Sequence, residues 1–397
     1  MNTESSRSAQ GLRGRVAIVG AADTPVGKVP ELNAMELCAD AIQRVLDDAG
    51  LRRDDVDGLI TCNSMSMPLL YHAEAMAEYL QMFPGYCMSV GAGGGTTFSV
   101  IHHAASAIAT GMADVVVVAM ADSLRSGLSR EQAMLLQSST GHPQYEQPWG
   151  LTVPAYYALA AQAHMAEYGT RPEHYAEVAV ACRAHAALNP AAQKRDPISV
   201  EDVLNSRMIA DPLHLLDCSL VSDGGSAIVL TSAERAKDFP HQPVYLLGAG
   251  EGHSHEHISQ AHNLTTSAAK EAGQRAYAMA GLSPGDMDFA QLYDCFTPTV
   301  LIELEDLGFC RKGEGGQFIV EQGIGPDGKL PVNTHGGLLS HCHPGNPGSM
   351  FALTESVWQL RHTASVRQVA DAEVGLVHAQ GGILSSHCTL ILGREAG

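Results

Sequence analysis

Short apolar runs and longer amphipathic stretches follow one another along the chain. Residues 14–23 and 55–62 are apolar runs that end in small or polar residues, which is typical of buried strands. Between them, residues 34–50 carry apolar side chains at helical spacing and end at a glycine, a common helix stop. The longest apolar run, 115–121, is far too short to cross a bilayer and is predicted as another buried strand. The pattern predicts an α/β protein.

The pattern repeats within the chain. Moving the sequence by 231 positions places Ala41 on Ala272 and Arg44 on Arg275, and it superposes the Ala-Gly-Leu triplets that begin at Ala49 and Ala280. A weaker match, displaced by 253 positions, aligns the segments 94–111 and 347–360. Two similar halves are therefore predicted, with an insertion inside the second copy.

A segment between the two halves matches neither of them. Residues 123–212 are predicted as an inserted, mainly helical domain that covers the cleft where the halves meet. The predicted boundaries are 1–122 with 213–240 for the first half, 123–212 for the insertion and 241–397 for the second half.

Glycines are concentrated immediately before a predicted helix, in the stretch Gly91–Gly95. The stretch matches neither the GxGxxG pattern nor the phosphate-binding loop, because Thr96 stands at the place of the last glycine and no lysine follows. Two interpretations stay open. The glycines form a tight turn, or they aim backbone N–H groups at a developing negative charge.

Candidate chemistry in the second half comes from three stretches. The stretch 332–348 holds His335, His341 and His343, which indicate an acid/base histidine more strongly than a metal site, since no carboxylate lies nearby in sequence. Tyr293 and Asp294 follow a predicted strand, where ligands of α/β sheets bind, although a tyrosine there also suits a core position. The third stretch, 377–384, contains a histidine and a glycine pair.

Composition narrows the class of partner. The 397 residues include 43 acidic and 24 basic side chains, for a net charge of −19, which makes nucleic acid an unlikely ligand. Nine dispersed cysteines without a CxxC pair indicate reduced thiols and a cytoplasmic protein. The polar N-terminus lacks the apolar region of a signal peptide, and no membrane association is expected.

Four motifs in order give the chain a family resemblance: SDGGSA (222–227), YDCF (293–296), VNTHGGLLS (332–340) and CHP (342–344). With them the chain resembles the thiolase superfamily, and among its members the sterol-carrier-protein-x type. The resemblance implies the thiolase fold, with two similar βαβαβαββ halves in five α-β-α-β-α layers and an inserted loop domain. It also implies a homodimer and a coenzyme A thioester as substrate, with no tightly bound cofactor and no metal.

The chain departs from the family at the nucleophile. Counting back from Ala109-Thr110-Gly111, which ends the elbow helix in the family, places the reactive cysteine of thiolases at Gly94. The second family cysteine falls near His378. The histidine of the family's GHP motif corresponds to His343, and Tyr293 stands where the family carries an asparagine or histidine.

Without a cysteine, the resemblance is to the thiolase-like aldolases that shorten steroid acyl-CoA esters. It implies retro-aldol cleavage of a β-hydroxyacyl-CoA, with Tyr293 and His343 as proton carriers and Asp294 and His378 as further catalytic candidates. The implied oxyanion donors are the backbone N–H groups of Gly94, Gly95, Gly381 and Gly382. The candidate contacts to coenzyme A are Arg183, Lys194 and Arg195.

Two alternatives and one partner stay open on the sequence alone. The first alternative is a thiolase-type acyltransferase with a displaced nucleophile, and the second is a subunit that binds acyl-CoA or lipid without catalysis. Some of the resembling aldolases pair with a small OB-fold, zinc-ribbon protein, which makes such a subunit a candidate partner.

Overall fold

The protein is described from a computed structural model that covers residues 11–91 and 93–397. The polar N-terminal residues 1–10 and Ala92 of the glycine-rich stretch lie outside the described residues. Within the described part, none of the helices has both the length and the apolar character needed to cross a membrane.

Strands and helices alternate along most of the chain, as the apolar pattern predicts. The strands are β1 (Val16–Asp23), β2 (Gly58–Thr61), β3 (Tyr86–Ser89), β4 (Val115–Ser123), β5 (Met208–Ala210), β6 (Leu213–His214), β7 (Asp223–Ser232), β8 (Val244–His253), β9 (Phe289–Gln291), β10 (Val374–Gly381) and β11 (Ser386–Gly393). The helices are α1 (Ala34–Ala49), α2 (His72–Leu80), α3 (Thr96–Ala109), α4 (Leu124–Gly127), α5 (Arg130–Ser138), α6 (Val153–Tyr168), α7 (Pro172–Ala187), α8 (Val200–Asn205), α9 (Ala269–Ala280), α10 (Thr297–Asp306), α11 (Gly315–Gln322) and α12 (Gly348–Leu360).

The internal repeat is visible at the ends of two equivalent helices. Helix α1 begins with a capping box formed by Asn33 and Glu36 and ends at Gly50, whose φ is 68°. Helix α9 ends at Gly281 with a φ of 66°. Both glycines close their helix in the left-handed conformation, which side chains disfavour, and they are the residues that the shift of 231 superposes.

Each half builds its sheet in the same strand order. The order β3-β2-β4-β7-β1 in the first half corresponds to β9-β10-β11-β8 in the second. The second half forms four strands rather than five, because its remaining strand is reduced to a single parallel bridge between Ala290 and Val332. The two half-sheets are joined where β1 pairs with β8 over two residue pairs, so hydrogen bonding runs through nine strands.

Two helices occupy the layer between the half-sheets. Helix α3 contacts β4 and β7 of the first half and β10 and β11 of the second, while α12 contacts β1, β7 and β10. On the outer faces, α1 packs on β1, β4 and β7, and α9 packs on β8 and β11. The five-layer thiolase fold predicted from the resemblance is thereby confirmed, and its two glycine-rich helix entrances meet in the middle layer.

The segment between β4 and β7 is mainly helical and packs on the second half. It contains helices α4 to α8 and the short β5–β6 pair, and its helix α7 lies against α10 and α11. The exact boundaries drawn for the three units stay a prediction.

Asp23 gives the contact between β1 and α12 a pH dependence. Its Oδ1 accepts a hydrogen bond of 2.8 Å from the Thr354 hydroxyl, and burial raises its pKa to about 7. The folded protein thus keeps a proton that the unfolded chain has released, so the stability that this proton supplies is lost as pH rises toward 7. We expect Asp23→Asn to lower the pH dependence of the unfolding free energy by about 2 kcal/mol between pH 5.5 and 8.

Urea unfolding at the two pH values measures the difference, with Asp54→Asn on the exposed surface as the control. The same pH dependence in Asp23→Asn and in the unsubstituted protein would contradict the assignment.

Candidate active site

A cavity of about 480 Å³ lies where the two halves and the insertion meet. Its polar floor is built from both halves, with Gly93 and Gly94 from the entrance of α3 and Tyr293, His343, Gly381 and Gly382 from the second half. Apolar side chains of the insertion and the segment after it form the opposite wall: Leu124, Leu128, Ala133, Leu136, Val153, Ile209 and Leu215. Of the four glycines predicted as oxyanion donors, Gly94, Gly381 and Gly382 line the cavity and Gly95, the N-cap of α3, does not.

Gly94 and Tyr293 are packed too closely for any side chain at position 94. A Cβ atom added to Gly94 would overlap the hydroxyl and ring of Tyr293 and also the carbonyl oxygen of Gln380. The Gly94 carbonyl oxygen accepts a hydrogen bond of 2.9 Å from Ser349 at the start of α12, which ties the two helix entrances together. Tyr293 therefore fills the space in which the side chain of a nucleophilic cysteine at position 94 would have to lie.

Three side chains form a hydrogen-bonded row along the cavity floor. The Tyr293 hydroxyl lies 3.2 Å from His343 Nε2, and His343 Nδ1 lies 2.8 Å from the Ser219 hydroxyl. Tyr293 follows β9, and its backbone N–H donates to Glu303 of α10 over 2.9 Å. His343 follows the turn at 337–341, and its backbone N–H donates to Ser222 over 3.0 Å. The backbone of Tyr293 and that of His343 are thus held independently of the contact between their side chains.

Burial keeps this row of side chains neutral. It raises the pKa of Tyr293 well above its usual value, and it lowers the pKa of His343 to about 4. Near neutral pH the tyrosine therefore holds its proton, while His343 Nε2 can accept one. The pair shares one transferable proton.

Asp294, a predicted catalytic residue, does not line the cavity. Its carboxylate accepts the backbone N–H groups of Leu338 over 2.8 Å and of Leu339 over 3.2 Å. Burial raises its pKa to about 6. These contacts give Asp294 the role of holding the turn that carries His343, and it has no contact with the cavity to support a proton-transfer role.

His378 also lies away from the cavity. It precedes Gln380 by two residues on β10, about 7 Å along the strand, and Gln380 rather than His378 reaches the cavity. His378 Nδ1 contacts the Thr389 hydroxyl at 2.7 Å, and its Nε2 lies 3.0 Å from His387 Nδ1. The structure therefore places this histidine among buried core side chains.

Among the described residues, one group brings three metal-ligating side chains together: Glu303, His378 and His387. The two imidazole nitrogens that face each other are already hydrogen-bonded, and Glu303 Oε1 lies 4.0 Å from His378 Nε2. Ligands of a tetrahedral zinc ion with bonds of about 2.0–2.1 Å lie about 3.4 Å apart, so the carboxylate and the imidazole are farther apart here than in a formed zinc site. The geometry fits a hydrogen-bonded histidine pair better than a metal site.

The three predicted contacts to coenzyme A do not reach the cavity floor. Arg183 is buried and donates to the Ser340 hydroxyl over 2.9 Å and to the Asp196 carbonyl over 3.0 Å, which fastens α7 to the turn before His343. Lys194 and Arg195 are exposed, and neither they nor Arg183 line the cavity.

Residues that were not predicted complete the site. Gln380 donates to the Tyr157 hydroxyl over 2.6 Å and accepts the Leu384 N–H over 2.9 Å, which fixes the turn at Gly381 and Gly382. The Ser219 hydroxyl contacts His343 Nδ1. The signal for Gln380 was its position directly before the glycine pair, whereas nothing local in the sequence distinguishes Ser219.

Two of the nine free cysteines, Cys218 and Cys295, line the cavity. Burial raises the pKa of Cys218 to about 12 and that of Cys295 still further. Since the thiolate is the nucleophilic form, neither position favours acyl transfer through sulfur.

The chain belongs to the thiolase family. Residues 16–234 match the family model described as "Thiolase, N-terminal domain", and residues 250–394 match "Thiolase C-terminal domain-like". In a solved structure of the "Ltp2-ChsH2(DUF35) aldolase", one chain is 38% identical and superposes with a TM-score of 0.85, covering 96% of this chain and 98% of that one.

Three curated relatives cover nearly the whole chain. The "Steroid side-chain-cleaving aldolase" of Thermomonospora curvata is 38% identical over 97% of this chain and 99% of its own. The "17-hydroxy-3-oxo-4-pregnene-20-carboxyl-CoA lyase" of Mycobacterium tuberculosis is 39% identical over 96% and 100%. An "Acetyl-CoA acetyltransferase" of Methanothermobacter thermautotrophicus is 34% identical over 92% and 96%.

The contact between Gly94 and Tyr293 can be tested with a matched pair of glycine substitutions. We expect Gly94→Ala to cost about 1–3 kcal/mol of stability, because the new methyl group forces Tyr293 or the Gln380 backbone to move. Gly91→Ala is the control, since a Cβ at position 91 meets no atom within 4 Å. Urea unfolding of both variants measures the difference. Equal stabilities would show that the close approach at Gly94 does not exist.

Proposed function

We propose that the protein is a thiolase-like carbon–carbon lyase that cleaves a β-hydroxyacyl-CoA by a retro-aldol reaction. The observation that carries this proposal is that Tyr293 fills the space in which a nucleophilic side chain at position 94 would have to lie. Acyl transfer needs a covalent acyl-enzyme, whereas retro-aldol cleavage needs only proton transfer and a site for the enolate. The named activities of two full-length relatives, an aldolase and a lyase of CoA esters, support the same reaction class.

The proton can travel along the row of side chains on the cavity floor. Tyr293 takes the proton of the β-hydroxyl group while it passes its own proton to His343 Nε2, 3.2 Å away. The Cα–Cβ bond then breaks, the electron pair moves to the thioester enolate, and a ketone or aldehyde leaves. The same proton returns through Tyr293 to Cα and yields the shortened acyl-CoA, so atoms and charges balance without a cofactor.

The enolate and the imidazolium neutralise each other within the cavity. The low pKa of His343 makes an isolated imidazolium unfavourable there, so His343 accepts the proton only as the negative charge develops on the substrate. We place the thioester oxygen beside the backbone of Gly94 and of Gly381 and Gly382, which line the same floor.

The apolar wall indicates a bulky apolar acyl group. Leucine, valine and isoleucine side chains from the insertion face the polar floor across the cavity, and such a surface favours a hydrophobic side chain over a short polar one. A steroid-like acyl group fits this wall, and steroid substrates appear in the names of both the aldolase and the lyase relative.

Two protein partners belong to the proposal. We propose a second, small subunit that contacts the insertion, because α5 has no buried residue and exposes Met134 and Leu135. The name of the similar aldolase structure, which joins two proteins, supports such a subunit. We also propose a homodimer through the edge strand β3 and the neighbouring helix α2, where Leu70 and Phe83 are 86% and 92% exposed.

The proton carriers are tested by Tyr293→Phe and His343→Ala. Each substitution removes one positioned proton-transfer group, so we expect turnover to fall on the order of 10²–10⁴-fold. The assay supplies a panel of β-hydroxyacyl-CoA esters, with and without a candidate second subunit, and measures the released ketone or aldehyde and the shortened acyl-CoA. Tyr277→Phe and His103→Ala, both away from the cavity, are the controls.

Less than tenfold loss in both Tyr293→Phe and His343→Ala would contradict the assignment of the proton carriers. Acylation of a cysteine peptide by the substrate, detected by mass spectrometry, would instead establish an acyltransferase. Tight binding of acyl-CoA without turnover of any ester, with or without the second subunit, would establish a binding protein.

The dimer is tested at its most exposed side chain. We expect sedimentation velocity to give twice the chain mass of 41.9 kDa, and Phe83→Glu to weaken the dimer by about tenfold or more because it places a charge in the apolar contact. Val366→Glu, at another exposed apolar position in the second half, is the control. A monomer in the unsubstituted protein would contradict the proposal.

A further inference from the structure

Ser219 makes a contact with the proton-transfer pair that the proposed reaction does not yet use. Its hydroxyl lies 2.8 Å from His343 Nδ1, on the side of the imidazole opposite Tyr293. Ser219 belongs to the first half of the chain, just before β7, while Tyr293 and His343 belong to the second half. Its backbone N–H donates to the Cys295 carbonyl over 3.0 Å, which anchors the serine beside the cavity.

We propose that the Ser219 hydroxyl accepts the hydrogen bond from Nδ1–H of His343 in the tautomer and in the imidazolium that the reaction needs, and that it is therefore a positioning residue. The inference rests on the proposed function, in which His343 Nε2 has to accept the proton of Tyr293. A neutral imidazole carries one proton, so Nε2 is free to accept only when Nδ1 holds it. Ser219 then accepts the hydrogen bond from Nδ1–H and stabilises that tautomer.

The opposite tautomer would block the transfer. If Nδ1 were unprotonated, the Ser219 hydroxyl would donate to it, and Nε2–H would donate to the Tyr293 oxygen. Tyr293 could then no longer hand its proton to His343, and the β-hydroxyl group would have no base. Because Ser219 accepts from Nδ1–H in both the neutral and the charged imidazole, it also assists the charged state formed during cleavage.

The position of the imidazole is secured by other contacts. The backbone N–H of His343 donates to the Ser222 hydroxyl over 3.0 Å, and the backbone N–H of Ser222 donates to the His343 carbonyl over 3.1 Å. Removing the Ser219 hydroxyl should consequently change where the proton sits on His343 without displacing the loop. That separation makes the role of Ser219 testable.

The test compares Ser219→Ala with Ser219→Thr, which keeps a hydroxyl group. We expect Ser219→Ala to lower kcat by about 10–100-fold with little change in KM, and Ser219→Thr to stay within about threefold of the unsubstituted enzyme. Ser126→Ala is the matched control, because the buried Ser126 hydroxyl has no hydrogen-bond partner among the described residues.

The tautomer itself is read by NMR of protein labelled with 15N-histidine. The His343 signals are assigned by their loss in His343→Ala. We expect a protonated Nδ1 and an unprotonated Nε2 in the unsubstituted protein and in Ser219→Thr, and the reverse in Ser219→Ala. An unprotonated Nδ1 in the unsubstituted protein, or the same tautomer in Ser219→Ala, would overturn the inference whatever the activity of the variants.

The two proposals can fail separately. If Tyr293→Phe and His343→Ala lose activity while Ser219→Ala keeps both its kcat and its tautomer, only the role of Ser219 is wrong. If Tyr293→Phe and His343→Ala keep their activity on a β-hydroxyacyl-CoA, the assignment of the proton carriers is wrong, and the role of Ser219, which depends on that assignment, is wrong as well.

Discussion

The close approach of Gly94 to Tyr293 is the constraint on which the site depends. It brings the helix entrance of the first half against the end of β9 in the second half, with no room for a side chain between them. The hydrogen bond from Ser349 to the Gly94 carbonyl holds α3 and α12 in the same relation. A side chain at position 94 and the ring of Tyr293 would compete for one volume, so the glycine and the tyrosine depend on each other.

Burial then determines what the remaining groups can do. It raises the pKa of Tyr293 and of the cavity cysteines and lowers that of His343, so each of these groups is neutral near pH 7. A site of neutral groups with one mobile proton suits the cleavage of a carbon–carbon bond, in which charge appears only transiently. The same burial makes a thiolate costly, which separates this chemistry from acyl transfer.

The second half and the insertion supply the support around this centre. Asp294 and Arg183 hold the turn that carries His343 from two sides, through the backbone of Leu338 and Leu339 and through the Ser340 hydroxyl. The insertion adds an apolar wall and leaves α5 with no buried residue. The helix therefore contributes to a cavity wall on one side, while its apolar side chains Met134 and Leu135 are exposed on the other.

The α/β architecture and the internal repeat could both be predicted from the sequence, which also places a glycine rather than a cysteine at position 94. Each depends on local periodicity, on spacing along the chain or on a motif, and the apolar runs and terminal glycines record these directly. Tyr293 and His343 were also predicted as site residues, because a strand end and a motif mark them.

The contacts of Asp294, His378 and Arg183 could be found only from the tertiary structure, since the partners of each lie far away in the sequence. Gln380 reaches the cavity and His378 does not, because two residues along a strand move a side chain about 7 Å. The contact of Ser219 with His343 joins residues 124 positions apart, and only the packing of one half against the other brings them within a hydrogen bond.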